Sequence, residues 1–271
     1  MCGRYIIVSK VKKIETRFGV RSKDREVESF PQRFNLGPGQ KGLLITSEEK
    51  DCLSIGVFGL TPHWSKKRMY LFNARAEGDG NQENDPNNSG ARGIISKPAF
   101  RKSIRTKRCL IPADGFIEGP EKEKLSRPYL VHCAAERTPF AMAGIYEDWV
   151  DVSTGEMIRG FAIITTVSNA VTRAIGHHRS PVLLEEGDEG LWLETSKPLA
   201  DALELLKPYQ GRLMNAYPLD PAIKSPRNED PELLRPLGPY VLSYPGFQVV
   251  EELDLFGMGE TNARRRRKEE Q

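Results

Sequence analysis

Residues 109–119 read CLIPADGFIEG. An apolar run enters a turn punctuated by Pro and Gly, then leaves as a shorter apolar run that carries Glu118. That is one strand, a reversal, and the start of another. The same grammar recurs in YIIV (5–8), GLLIT (42–46), LSIGVFGL (53–60), PYLVHCA (128–134), FAMAGIY (140–146), FAIITTV (161–167), PVLL (181–184) and YVLSY (240–244). Most of these runs are bounded by Gly, Pro, Asn or Asp, so the chain reads as mainly sheet. Helices are fewer: 10–18, 168–175 with Ser168 and Asn169 as caps, 187–194, and 197–207 with apolar spacing suited to one helical face.

The chain has 271 residues, with neither an internal repeat nor a linker of convincing length, so one large domain is expected over residues 2–240. Charged residues make up 28% and the hydrophobic class 38%, and no apolar run approaches the ~18 residues that span a bilayer. No membrane partner is expected. The first residues lack an apolar signal segment, which points to the cytosol, at the nucleoid in a bacterium or in the nucleus of a eukaryote. Cys2, Cys52, Cys109 and Cys133 are scattered without a CxxC pair, so reduced thiols are expected and neither a zinc site nor any other metal or cofactor.

The net charge is +3. Residues 97–108, KPAFRKSIRTKR, carry six basic side chains and no acidic one, whereas 185–190, EEGDEG, is acidic. That asymmetry fits a face for phosphates, or a solvated loop. Residues 78–93 are polar and rich in Gly, Asn and Asp, as in a mobile surface loop. The tail 257–271, ending ARRRRKEEQ, reads as disordered.

Cys2 directly follows Met1. Aminopeptidases remove an initiator methionine ahead of a small residue, which would leave a thiol and a free α-amine on adjacent carbons. Their reference pKa values, about 8.5 and about 7.7–8.0, make both partly nucleophilic at neutral pH. Such a pair captures an aldehyde: the amine forms a Schiff base and the thiol closes a five-membered thiazolidine. Taken alone, Cys2 reads first as a small packed hydrophobe under a sheet.

Three other segments carry polar groups suited to a site. In NARAE (73–77), Asn73, Arg75 and Glu77 alternate and would share one side of a strand, as a site wall or as a polar edge with an ion pair. Glu118 follows Phe116 and Ile117, so its carboxyl could be desolvated into a proton shuttle, or it could be a surface residue of a hairpin. In GHHRSPVLL (176–184), one of two histidines could act as acid or base and Arg179 could bind an anion.

Together with CGRY (2–5), FNLGPGQ (34–40), GLTPHW (59–64), AGIYEDW (143–149) and IITT (163–166), these motifs resemble the SRAP (SOS-response-associated peptidase) family of abasic-site processing proteins, in family order over about residues 2–240. The resemblance implies an α+β fold, with twisted antiparallel sheets in a barrel-like core and peripheral helices. It also implies a monomeric sensor of abasic sites in single-stranded DNA that cross-links through Cys2, with lyase activity and self-removal of Met1 as companions. On matched positions it assigns catalysis to Cys2, Asn73, Glu118 and His177. It assigns DNA contacts to Arg4, Pro38, Trp64, Arg75 and Arg179. Ile117 and Gly119 stand where the family usually has aromatics, Phe58 where tryptophan is common, Gly78 where threonine is usual and Ser180 where methionine is common. Two other functions remain compatible with these residues: a non-covalent clamp on single-stranded DNA, and a thiol peptidase using Cys2 and His177.

Overall fold

The computed structural model describes residues 2–243 except 82, 86, 88, 89, 135 and 136. Its strands are β1 (Tyr5–Ile7), β2 (Arg21–Ser22), β3 (Arg33–Leu36), β4 (Lys41–Thr46), β5 (Cys52–Phe58), β6 (Asn73–Arg75), β7 (Arg108–Ala113), β8 (Gly115–Glu118), β9 (Tyr129–Cys133), β10 (Phe140–Val150), β11 (Met157–Val167), β12 (Arg179–Pro181), β13 (Leu183–Leu184) and β14 (Met214–Pro218). Six short helices sit around them: α1 (Val11–Phe18), α2 (Arg25–Glu28), α3 (Ser103–Thr106), α4 (Ala170–Ala174), α5 (Glu186–Leu193) and α6 (Leu199–Leu203).

The larger sheet runs β12-β11-β10-β7-β4-β5-β2, and β5 also pairs with β11 in parallel, Gly160 opposite Val57. That pairing closes β11, β10, β7, β4 and β5 into a ring, so the α+β fold has a barrel-like core with peripheral helices. Closure removes edges that would otherwise expose unpaired backbone groups. Inside, Phe58 stacks on Phe161 with centroids 5.3 Å apart, and Tyr5 meets Phe58 edge-on at 5.5 Å. Each such pair is worth about 0.5–1.5 kcal/mol beyond the apolar area it buries. Gly42 makes room for this cluster, since a β-carbon there would lie 2.2 Å from the Tyr5 hydroxyl.

The second sheet, β14-β9-β8-β1-β3, packs beside the barrel. The continuous apolar run YIIV follows from this position. Tyr5 and Ile7 belong to the main core, while Ile6 and Val8 belong to a second cluster with Ile117, Leu130 and Tyr217. A strand buried on both faces needs no polar alternation.

The helix at 10–18 appears as α1 and ends at Gly19, whose left-handed φ of 65° lets its amide reach the Glu15 carbonyl. Asn169 caps α4 through a reciprocal box with Thr172. The helix expected over 197–207 forms only at Leu199–Leu203. YVLSY is not a strand: Val241 merely donates to the Ala216 carbonyl, and Tyr244 lies outside the described residues. The tail 257–271 also lies outside them. Within 78–93, Gly78 and Gly93 lie so close that a β-carbon on Gly78 would sit 2.5 Å from the Gly93 Cα.

The basic stretch 97–108 does not form one phosphate-facing surface. Arg108 is buried, Lys107 pairs with Glu147 at 2.9 Å, and Lys97 pairs with Asp79 at 2.8 Å. The strand that begins at Arg108 carries that one charge inward, while Arg101, Lys102 and Arg105 stay exposed. Among the described residues, no helix is long and apolar enough to cross a membrane.

Candidate active site

β1 runs antiparallel to β8 with Tyr5 opposite Phe116, and the Ile117 amide donates to the Arg4 carbonyl at 3.0 Å. This register draws the first residues alongside Ile117–Gly119 and sets Cys2, 1% exposed, against Glu118. From the other side, β6 pairs in parallel with β11, Asn73 opposite Ile163. The Asn73 side chain then donates Nδ2–H to the Cys2 carbonyl at 3.1 Å. After α4 the chain reverses at Gly176, φ 77°, and delivers His177. Its Nδ1 lies 2.9 Å from the Gly119 carbonyl and its Nε2 lies 3.4 Å from Glu118 Oε2. Cys2, Asn73, Glu118 and His177 thus converge from four distant parts of the chain.

Burial pushes the Glu118 carboxyl up to about 7, with the Cys2 thiol pulling the other way through a hydrogen bond. Burial, then the Glu118 charge, holds the Cys2 thiol well above its ordinary range. Burial pushes His177 down to about 3, and the Gly119 hydrogen bond opposes that shift. A carbonyl only accepts, so Nδ1 carries the imidazole proton and Nε2 turns its lone pair toward Glu118. Near neutral pH, therefore, the titrating proton of the site sits on Glu118. Glu118 Oε1 and Asn73 Oδ1 are buried without a conventional hydrogen-bond partner among the described residues.

Glu118 and His177 open onto a cavity of about 760 Å³ whose wall also includes Arg4, Pro38 and Arg75. Cys2 itself lies behind that wall, next to Gly3. Arg4 is half-buried and held by Asn35 Oδ1 at 2.8 Å. Arg75 donates to the Asn81 carbonyl at 3.2 Å. Trp64 stands 55% exposed and outside the cavity wall.

Arg179 is not a surface cation. It is 1% exposed, ion-paired to Glu77 at 2.8 Å and bonded to the Thr165 carbonyl at 2.9 Å, because the pairing of β12 with β11 turns it inward. Its field still reaches Cys2, whose thiol it favours in the ionised form. In this structure Arg179 is thus a buried counter-charge behind the site. The same pair resolves NARAE, where Asn73 and Arg75 face the site and Glu77 anchors Arg179.

Gly119 and the strap after it were not legible as site residues. A β-carbon at Gly119 would lie 1.8 Å from the Lys124 carbonyl, so the segment 120–127 folds tightly back over the end of β8. Lys124, at φ 52°, and Glu121 join the cavity wall, and Glu121 pairs with His178 at 3.2 Å. Ile117 packs into the second apolar cluster. Gly-Pro at 119–120 was the only sequence signal for the strap. Among the described residues, no three His, Cys, Asp or Glu side chains are placed to hold a metal ion.

Residues 1–226 match the family described as SOS response associated peptidase (SRAP). The chain belongs to the SRAP family. This SRAP chain is 33% identical over 240 residues to the abasic site processing protein YoqW of Bacillus subtilis, covering 86% of this chain and 99% of that one. It is 27% identical over 234 residues to the chicken abasic site processing protein HMCES, covering 75% of this chain and 66% of that one. A solved structure from Bacteroides thetaiotaomicron superposes with a TM-score of 0.72 at 30% identity, covering 86% of the SRAP chain and 98% of its own. A phage-related protein of Bordetella bronchiseptica, TM-score 0.57 at 24% identity, shares the fold.

Proposed function

We propose that the protein processes abasic sites in single-stranded DNA by covalent capture through Cys2 once Met1 is gone. The observation that carries this reading is the contact of a buried, protonated Cys2 with a carboxyl poised near pH 7, beside a cavity walled by Arg4 and Arg75. The names of the relatives, abasic site processing proteins, support the substrate class.

An abasic deoxyribose opens to a C1 aldehyde. The Cys2 α-amine adds to that carbon, and the carbonyl oxygen takes up protons and leaves as water, giving the imine. The Cys2 sulfur then adds to the imine carbon while the thiol proton passes to the nitrogen, closing the thiazolidine with a net loss of one water. Glu118, half protonated near neutrality, supplies the proton for water loss in one step and accepts the thiol proton in the next. Neutral His177 turns its Nε2 lone pair toward that carboxyl from 3.4 Å and steadies its protonated form between the two steps. Asn73 orients the Cys2 carbonyl and leaves Oδ1 for the incoming sugar. Arg4 and Arg75 meet the flanking phosphates, and the Arg179 charge behind Cys2 eases ionisation of the thiol.

The same imine sits one proton abstraction from β-elimination, so strand cleavage is the natural side reaction. A general thiol peptidase using Cys2 and His177 predicts turnover of peptide substrates, which the covalent reading does not require. The deciding experiment incubates the protein with single-stranded DNA carrying one abasic site and resolves it on a denaturing gel. A slowed covalent band is expected for the mature protein. It should be absent for Cys2→Ala and for a chain extended ahead of Cys2, which caps the amine. Binding without any band in the mature protein would leave a non-covalent clamp instead.

A further inference from the structure

Residues 62–70, PHWSKKRMY, leave the barrel as a loop, and no acidic residue occurs anywhere from 59 to 76. The loop is pinned at its base by the mutual Leu60–Leu71 pairing and by Thr61, which bonds the Met69 amide and carbonyl. Higher up, Trp149 Nε1 donates to the Ser65 carbonyl at 2.6 Å. His63 is tied to Glu147 at 3.2 Å. The loop is therefore held in one shape, although Trp64, Lys66, Lys67, Arg68 and Tyr70 are all exposed.

Tyr70 leans on two glycines: β-carbons there would lie 3.6 Å (Gly39) and 3.0 Å (Gly59) from its ring. The Arg68 guanidinium lies 5.0 Å from the ring centroid, so the two planar groups form one platform. Gly39 adjoins Pro38, and Tyr70 stands two residues from Phe72. Both Pro38 and Phe72 line the cavity. Lys66 and Lys67 carry no ion pair among the described residues, and Arg68 feels Asp151 at a distance.

We infer that this loop is a second binding surface, a track for the strand that leaves the cavity. The base next to the captured nucleotide stacks on the Arg68–Tyr70 platform, and Lys66, Lys67 and Arg68 neutralise the phosphates beyond it. A basic groove interleaved with aromatic faces suits single-stranded DNA, since every base has a face to stack and every linkage a charge. The inference rests on the proposed reading of the cavity as a single-strand site, but it is tested apart from adduct formation.

The probe is a fluorescein-labelled, undamaged oligodeoxythymidylate of about 20 nucleotides, titrated by anisotropy across a range of salt. Replacing Lys66, Lys67 and Arg68 together by alanine lowers the slope of log affinity against log salt by about two. Tyr70→Ala weakens binding at least about fivefold, and Tyr70→Phe restores it. Both variants cross-link an abasic trinucleotide at saturation as wild type does, since the cavity is untouched. Failure of any protein to cross-link would sink the covalent reading and leave the slope to report on the loop. Unchanged affinity and slope in the triple variant would overturn the track. So would an equal loss for Tyr70→Ala on duplex DNA, or an equal loss of polyglutamate binding in the triple variant, which would mark a surface for acidic proteins.

Discussion

Two carboxylates are buried four residues apart in the β7–β8 segment, where the chain crosses from the larger sheet to the second, and they do opposite things. Asp114, fully buried, accepts from the Val8 amide at 2.6 Å, the Ser9 amide at 2.7 Å and the Ser9 hydroxyl at 2.5 Å. Burial raises its pKa and those donors pull it back. Glu118 has only the Cys2 thiol, a loose histidine contact and an Oε1 without a conventional partner among the described residues, and it rises to about 7. The arginines repeat the contrast. Arg108 spends its donors on the Trp192, Ile104 and Glu194 carbonyls, whereas buried Arg179 keeps Nη1 unbonded. A saturated buried charge holds the fold together. One left unsaturated beside a cavity is available for chemistry.

The largest effect expected from breaking this contrast is at Glu118. Glu118→Gln should slow adduct formation by about 100- to 10,000-fold, the usual range for a positioned acid–base group, measured under single turnover. The matched change, Asp114→Asn, should act on stability instead. It replaces an acceptor of three hydrogen bonds and should cost about 2–4 kcal/mol in denaturant unfolding, with the folded protein still cross-linking at close to the wild-type rate.

Titration separates the two proteins further. The folded pKa of Glu118 is raised, so its contribution to stability is fully present below the ordinary carboxylate value. It is lost as pH rises toward 7. Between pH 4.5 and pH 8, wild type should lose about 3 kcal/mol relative to Glu118→Gln, and the wild-type cross-linking rate should bend near pH 7. His177 acts in the other direction. Its folded pKa is depressed, so its contribution is present above the ordinary imidazole value and fades as pH falls toward 3. A smaller effect is expected at Gly119→Ala, where the new methyl meets the Lys124 carbonyl. The strap must shift, at about 1–3 kcal/mol of stability, and the His177 anchor shifts with it.

Much of this was readable from residue patterns, for identifiable reasons. Strands such as FAIITTV announce themselves because β11 is buried for most of its length. Asn169 signalled the start of α4 because a side-chain cap is a local event. RFNL and MNAYP were not read as strands, because β3 and β14 are short edge strands whose pairing depends on partners far along the chain. Cys2, Asn73, Glu118 and His177 could be named one by one, but only the β1–β8 and β6–β11 pairings show that they meet. The burial of Arg179 was not readable, because a guanidinium beside a histidine pair shows nothing of its partner Glu77, 102 residues earlier, until the strands are paired. The ion pairs of Lys97 and Lys107 in KPAFRKSIRTKR were not readable either, since their partners Asp79, Glu147 and Asp148 lie outside the segment.

The central claim is that the α-amine and thiol of Cys2 together close on the abasic aldehyde, and intact mass spectrometry of the isolated adduct tests it most directly. The account predicts one species, the chain without Met1 plus the oligonucleotide minus one water, resistant to borohydride and absent for Cys2→Ala. A borohydride-resistant adduct formed equally well by Cys2→Ala or by a chain that retains Met1, each at its own chain mass plus the oligonucleotide minus one water, would contradict it.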